Sequence, residues 1–329
     1  MGEVTGGHYV VTGCAGFIAA RVAGMLVDAG HRVTGLDNLS DAYDPQLKRW
    51  RLELLAGRPG FAFHELDIAD RSAVDRCWSS LGRVDGVLNL AARAGVRASV
   101  ENPWVYVDTN ITGTLNLLEA ARRSEVERFV LASTSSLYAG STELPFRESA
   151  ASNRPLSPYA ATKKGAEALA FTYHHLYGIH VCIPRYFTVY GPMGRPDMSV
   201  FRFVRQIAEG ETLTVMGDGH QQRDFTYVDD IARGTIAGLK VDGYEIVNLG
   251  GSRMASIQDL IGLIEGLVGR KARVEHQPFH AADMQATWAD NAKAQQLLGW
   301  SPTVSLSEGL RRTVDWYREH RDRIMTIGL

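Results

Sequence analysis

HYVVTGCAGFIAA, residues His8 to Ala20, is the stretch that decides the fold. A short β-rich run (HYVVT, 8–12) passes directly into Gly13-Cys14-Ala15-Gly16-Phe17-Ile18-Ala19, a GxxGxxA turn, and a helical pattern follows over 16–29. A strand, a glycine turn and a helix in that order open a doubly wound α/β domain. Glycine at 13 and 16 lets the backbone turn tightly and approach a pyrophosphate, whose charge the helix N-terminus favours. Because the chain has 33 glycines, context carries the reading more than spacing does. The next β-rich run, RVTGL (32–36), ends at Asp37. That is about 20 residues on, where an acid can bind a ribose diol and disfavour a 2′-phosphate. NAD is therefore expected in preference to NADP, along Gly13, Gly16, Phe17, Ile18, Asp37 and Asn38.

The alternation continues outward. A helical pattern over 45–56 precedes FAFHEL (61–66), 70–81 precedes VDGVLNL (84–90), 103–123 precedes RFVLAS (128–133), and 158–177 precedes HVCIP (180–184). Strands separated by single helices need crossover connections, so the expected sheet is parallel and covered on both faces. After about residue 185 the rhythm loosens into the Gly/Pro-rich YGPMGRPD and GDGHQQRD. A strand–helix–strand over 224–248 and helices near 256–267, 290–298 and 306–320 complete the pattern. The expected organisation is a Rossmann-type NAD-binding domain over 1–184, with 224–249 returning to it, and a smaller mixed α/β substrate-binding lobe from 185–223 and 250–329. A length of 329 residues exceeds the roughly 250–300 at which single cores stop growing, in keeping with two lobes.

In such sheets ligands bind beyond the carboxyl ends of the strands. Asp67 and Ile68 follow the third strand; Leu90, Ala91 and Ala92 follow the fourth, where small side chains let a dinucleotide lie close. Four hydroxyl residues, Ser133 to Ser136, follow the fifth. In SPYAATKK (157–164), Tyr159 and Lys163 stand four apart at a helix start, on one face. An ammonium near a phenol stabilises the phenolate and lowers a pKa that is about 10 unperturbed. With Thr134 beside them, these groups can take the proton of a secondary alcohol while a nicotinamide takes hydride.

The totals exclude other classes. Basic and acidic residues number 35 and 37 without like-charge blocks, which argues against a nucleic-acid partner. No window reaches the roughly 20 apolar residues of a membrane span, and the N-terminal segment lacks a signal-peptide pattern. Cys14, Cys77 and Cys182 are widely spaced and without a CxxC pair, which suggests neither a disulfide framework nor zinc and fits a reducing cytoplasm. His174, His175 and His180 lack acid or thiol company at ligand spacing, so no metal is expected.

The ordered motifs TGCAGFIA, Asp37, Asp67-Ile68, NLAA (89–92), STSSLY (133–138), YAATK (159–163), PRYFTVYGP (184–192) and RDFTYVDD (223–230) resemble those of extended short-chain dehydrogenase/reductases of the nucleotide-sugar epimerase and dehydratase group. The resemblance implies Thr134, Tyr159 and Lys163 as catalytic residues, a tightly held NAD regenerated each cycle, and Arg223 and Asp283 as nucleotide-sugar ligands. It also implies a homodimer that pairs the helices near 103–123 and 158–177. Enzymes resembling 4,6-dehydratases carry Thr-Asp-Glu at the catalytic hydroxyl, and UDP-glucuronate decarboxylases usually carry Thr-Ser-Glu. This chain has Thr134-Ser135-Ser136, neutral groups that can bond a carboxylate without the repulsion of an acid.

DAYDPQLKRWR (41–51), ARAGVRASVENP (92–103) and FTVYGPMGRPDM (187–198) resemble the corresponding segments of UDP-glucuronate 4-epimerases. Thr188 stands where UDP-galactose 4-epimerases carry asparagine, and Arg195 is a candidate for the carboxylate, a phosphate or a cover over the substrate. Arg93 and Arg97 are read first as surface ion pairs. The implied reaction is NAD-dependent C4 epimerisation of UDP-glucuronate. The alternatives are a UDP-glucose 4-epimerase or a UDP-glucuronate decarboxylase on the same scaffold, and a silent NAD-binding sensor. Departures from the family pattern are Ala19 for a third glycine, Asn89 for histidine, Ala139 for glycine, and Ala281-Ala282-Asp283 for Pro-Gly-Asp.

Overall fold

A computed structural model describes residues 6–141, 143–279 and 283–329. The expectations that fall on Ala281, Ala282 and the first five residues lie outside them. The described residues form thirteen strands: β1 (His8–Thr12), β2 (Arg32–Asp37), β3 (Phe61–Glu65), β4 (Gly86–Asn89), β5 (Arg128–Leu131), β6 (Ser133–Thr134), β7 (His180–Tyr186), β8 (Thr188–Tyr190), β9 (Thr212–Met216), β10 (Gln222–Tyr227), β11 (Tyr244–Leu249), β12 (Met254–Ser256) and β13 (Arg273–Gln277).

The large sheet runs β3-β2-β1-β4-β5-β7-β11, with β6 also on β7, and every pairing in it is parallel. Its β1, β4 and β5 are buried on both faces, and the helices Phe17–Asp28, Arg71–Trp78, Gly113–Arg123 and Pro158–Tyr177 supply apolar partners such as Val22, Leu26, Val74, Leu117 and Ala170. Strand order reverses between β1 and β4. The crevice opened by that switch point is where a dinucleotide fits.

Residues 224–249 divide: β10 lies in a three-stranded sheet with β8 and β12, whereas the helix Val228–Ala237 leads into β11 of the large sheet. A helix over Ser199–Glu209, followed by β9, occupies the segment between the two Gly/Pro-rich stretches. Its Val200, Phe203, Val204 and Ile207 fall on one buried face and pack with Leu260, Ile264, Leu310 and Val314. Leu47 and Trp50, from the helix Pro45–Glu53 of the first half, join that same core. The two halves thus share packed apolar surface, which fixes the cleft between them.

Candidate active site

The glycine turn is built for a close approach. Gly13 has φ +69°, and a Cβ there would stand 2.8 Å from Ala91 Cα, so this position takes glycine. Its peptide N–H bonds Leu36 O at 2.7 Å, and Gly16 N–H closes the turn on Gly13 O at 2.7 Å. The helix Phe17–Asp28 opens at Gly16 with no side-chain cap, which leaves its first N–H groups directed at the crevice. A capless helix start beside a glycine turn suits a phosphate. Asp37, buried at the end of β2, accepts from Ala15 N–H at 3.1 Å and Leu39 N–H at 2.8 Å. One carboxylate thereby secures the turn at the position where a ribose diol is expected.

Asn38 donates to Asp67 at 2.9 Å across the neighbouring strand ends, and Ile68 O accepts from Asn116 at 2.9 Å. Behind Leu90 and Ala92, the Ala91 N–H donates to Thr12 Oγ1 at 3.0 Å. Asn89, where histidine is usual, uses both ends of its amide: it accepts from Thr12 Oγ1 at 2.8 Å and donates to Thr114 Oγ1 at 3.0 Å.

On the other side of the crevice, the helix Pro158–Tyr177 begins with Ser157 as N-cap and Pro158 at its first position, and it ends at the left-handed Gly178. Those signals place Tyr159 in the first turn. Tyr159, Thr134, Ser135, Ser136 and Thr188 line one cleft of about 850 Å³, together with Arg195, Arg223 and Asp283. Phe17 and Ile18 reach this cleft; the remaining expected cofactor residues lie along the sheet edge beside it, and Lys163 is buried behind Tyr159.

The electrostatics differ from the simple phenol–ammonium expectation. Lys163 Nζ donates to Ala132 O at 2.9 Å, and burial lowers its pKa to about 8 against the opposing charge of Glu167. Tyr159 is pushed above its ordinary value by burial, with the Thr134 hydroxyl and the Arg195 charge working the other way. Desolvation dominates at Tyr159, and the groups relieving it are Thr134 and Arg195; the Lys163 ammonium is bonded to Ala132 O instead.

Thr134 Oγ1 accepts Ser136 N–H at 3.1 Å and lies 3.2 Å from Ser136 Oγ, so Ser136 holds the Thr134 oxygen in place. Ser133 is set apart from the other hydroxyls. It donates to Glu167 at 2.7 Å, and Glu167 also receives Arg185 through Nε at 2.9 Å and Nη2 at 2.8 Å. Burial works against the Glu167 charge, but Arg185 prevails and holds its pKa low. This buried pair fastens β6 and β7 to the Tyr159 helix. Removing one partner of such a pair costs about 3–5 kcal/mol.

Five arginines line the cleft: Arg93, Arg97, Arg195, Arg202 and Arg223. Arg93 pairs with Asp41 at 3.4 Å, Arg97 with Asp283, and Arg195 with Asp197 at 2.6 Å. Arg223 pairs with neither Asp224 nor Asp229. It donates to Gln222 O at 2.8 Å, Asp224 turns inward to Ala289 N–H at 3.0 Å, and Asp229 holds Arg21 at 2.6 Å. Arg202 and Tyr106 escaped the sequence reading. Arg202 sits on the helix Ser199–Glu209, whose heptad-like apolar spacing was the available signal. Tyr106 packs edge-on against Tyr159 with ring centroids 6.2 Å apart and donates to Gly95 O at 3.1 Å; nothing local in the sequence points to it. Among the described residues no cluster of three or more His, Cys, Asp or Glu is placed to hold a metal.

A parallel doubly wound sheet, a glycine turn at its switch point and a Tyr–Lys helix across the crevice define an extended short-chain dehydrogenase/reductase. Within that class the chain belongs to the nucleotide-sugar epimerase and dehydratase family, for residues 10–313 match the family model described as GDP-mannose 4,6 dehydratase. It is 55% identical over 322 residues, 98% of this chain and 99% of the relative, to a UDP-glucuronate 4-epimerase of Thermodesulfobacterium geofontis. Among solved structures, it is similar to UDP-glucuronic acid 4-epimerase from Bacillus cereus in complex with UDP-glucuronic acid and NAD. That match has a TM-score of 0.89 and 38% identity, covering 95% of this chain and 99% of the other. A UDP-glucose 4-epimerase from Thermotoga maritima with UDP-glucose gives a TM-score of 0.88 at 32% identity, with 95% and 99% covered.

Proposed function

We propose that the protein epimerises UDP-glucuronate at C4 to UDP-galacturonate, with NAD as a tightly held cofactor. The observation that carries this reading is the cleft's polar lining: hydroxyls at Thr134, Ser135, Ser136 and Thr188, arginines around them, and no acid following Thr134. The turn Gly13–Gly16, the uncapped helix start and Asp37 fit a dinucleotide, and NAD bound there supplies hydride acceptance and return. Tyr159 takes the proton of the C4 hydroxyl, with Thr134 bridging the two oxygens. Lys163 sets the local potential from behind, and Arg195 adds positive charge at the phenol.

The 4-keto sugar formed on the way is a β-keto acid. Its loss of carbon dioxide requires the carboxylate bond to align with the carbonyl π system, and hydroxyls that fix the carboxylate's orientation prevent that alignment. Arg223 is assigned to the diphosphate, and residues 185–223 and 250–329 to sugar-nucleotide binding. Ser136→Glu tests the carboxylate role, because an acid there faces the substrate's own charge. The expected result is a fall in kcat/KM for UDP-glucuronate of about tenfold or more, with NAD content unchanged. A rate equal to the wild type's would contradict this role.

A homodimer and a cytoplasmic setting belong to the same proposal. Val100, Trp104 (77% exposed), Val107, Leu115 and Leu176 leave apolar surface uncovered on the helical segments 96–123 and 158–177, which supports pairing through that face. The three cysteines are free and buried, as suits a reducing compartment. Light scattering at a single chain's mass would rule the dimer out.

A further inference from the structure

Arg51 lies in the last turn of the helix Pro45–Glu53, 2% exposed, and makes five hydrogen bonds without a carboxylate among its acceptors. Nη1 donates to Ala15 O at 3.0 Å, inside the glycine turn, and to the Tyr43 hydroxyl at 2.6 Å. Nε and Nη2 donate to Met193 O at 3.2 and 2.7 Å, and Nη2 also reaches Gly194 O at 3.3 Å. Met193 is a non-glycine residue at φ +57°, so the backbone just before Arg195 adopts a conformation that side chains disfavour and that external bonds must hold. The Arg195 guanidinium lies over the Tyr43 ring, 5.6 Å from its centroid. One fork thus touches the turn expected to carry the cofactor, the backbone that presents the substrate arginine, and the ring on which that arginine rests.

We infer that Arg51 is a positioning residue that couples the dinucleotide turn to the Arg195 loop, so that cofactor seating and uronate recognition share one strap. The role suits arginine in particular: a planar guanidinium offers donors in fixed, divergent directions, whereas a lysine ammonium on a flexible stem cannot span acceptors on two loops at once. The acceptors are neutral carbonyls and a phenol, so the guanidinium charge stays available to an anion in the crevice. The inference rests on the proposed function for the identity of the substrate, but the coupling itself does not.

The test uses full-length Arg51→Lys and Tyr43→Phe, which removes only the phenolic acceptor. The first should weaken UDP-glucuronate affinity by about tenfold in calorimetry and lower the NAD content of the purified protein. Tyr43→Phe should move affinity in the same direction by a smaller factor, and it carries the test should Arg51→Lys not fold. In an Arg195→Ala background the affinity loss from Arg51→Lys should vanish, since Arg51 acts through the Arg195 loop. Wild-type affinity and NAD content in both variants, or an affinity loss that persists in full without Arg195, would overturn the coupling. Should the wild-type protein not bind UDP-glucuronate, the substrate reading fails, and the NAD content of Arg51→Lys still decides whether the strap serves the cofactor turn.

Discussion

Tyr159→Phe will abolish most turnover while the protein keeps its fold and its NAD. The substitution removes one oxygen from a side chain that lines the cleft, and the ring's packing against Tyr106 survives it. What is lost is the group that accepts the C4 proton as hydride leaves. General-base catalysis of this kind contributes roughly 10²- to 10⁴-fold, so kcat should fall by about that factor with little change in substrate affinity. Steady-state rates on UDP-glucuronate, read beside the NAD content of the purified variant, measure both halves of the claim. Retained activity would remove Tyr159 from the chemistry.

Lys163→Met should separate activity from stability. The ammonium is buried, and its lowered pKa, about 8, records the cost of keeping it charged. Below pH 8 both folded and unfolded chains hold the proton, and the native state bears that cost in full. Between about 8 and the ordinary lysine value near 10.4 the unfolded chain binds the proton and the native chain does not, so stability rises with pH there. Methionine fills a similar volume without charge, and its variant should lack that rise. A shift of this size corresponds to an energy of the order of 3 kcal/mol, opposed by about 1–3 kcal/mol for the Ala132 carbonyl left without its donor. Melting temperature at neutral pH should therefore stay near the wild-type value or exceed it, while kcat falls by about 10² or more, as expected of a catalytic residue. A variant that unfolds easily yet turns over normally would contradict both parts.

Much of the site was legible because its signals are local. The glycine turn, Asp37 and the Tyr159–Lys163 pair are each encoded within a few residues of a strand end or helix start, where backbone geometry dictates residue type. What escaped depends on chain segments meeting at long range. Arg51 finds Met193 across 142 positions, and Glu167 finds Arg185 on a different element, without a spacing rule to announce either contact. The helix Ser199–Glu209 is a different case. Its apolar residues recur at helical spacing between two Gly/Pro-rich stretches, and the helix carries Arg202 into the cleft. Strands β8 and β12, three residues each, are too short to show alternation, so the three-stranded sheet that presents Thr188 and Arg223 emerged only in three dimensions. The Tyr159 phenol shows the same limit: sequence gives the neighbouring charge but not the burial that pushes its pKa up.

The missing acid after Thr134 remains the most specific clue to the reaction, and product identity tests it most directly. The purified protein is incubated with UDP-glucuronate alone, and the nucleotide sugars are followed by proton NMR until the spectrum stops changing. UDP-galacturonate forming at the expense of UDP-glucuronate, with no NADH accumulating, is the predicted result. A UDP-pentose with release of carbon dioxide, or an unchanged spectrum, would contradict the account.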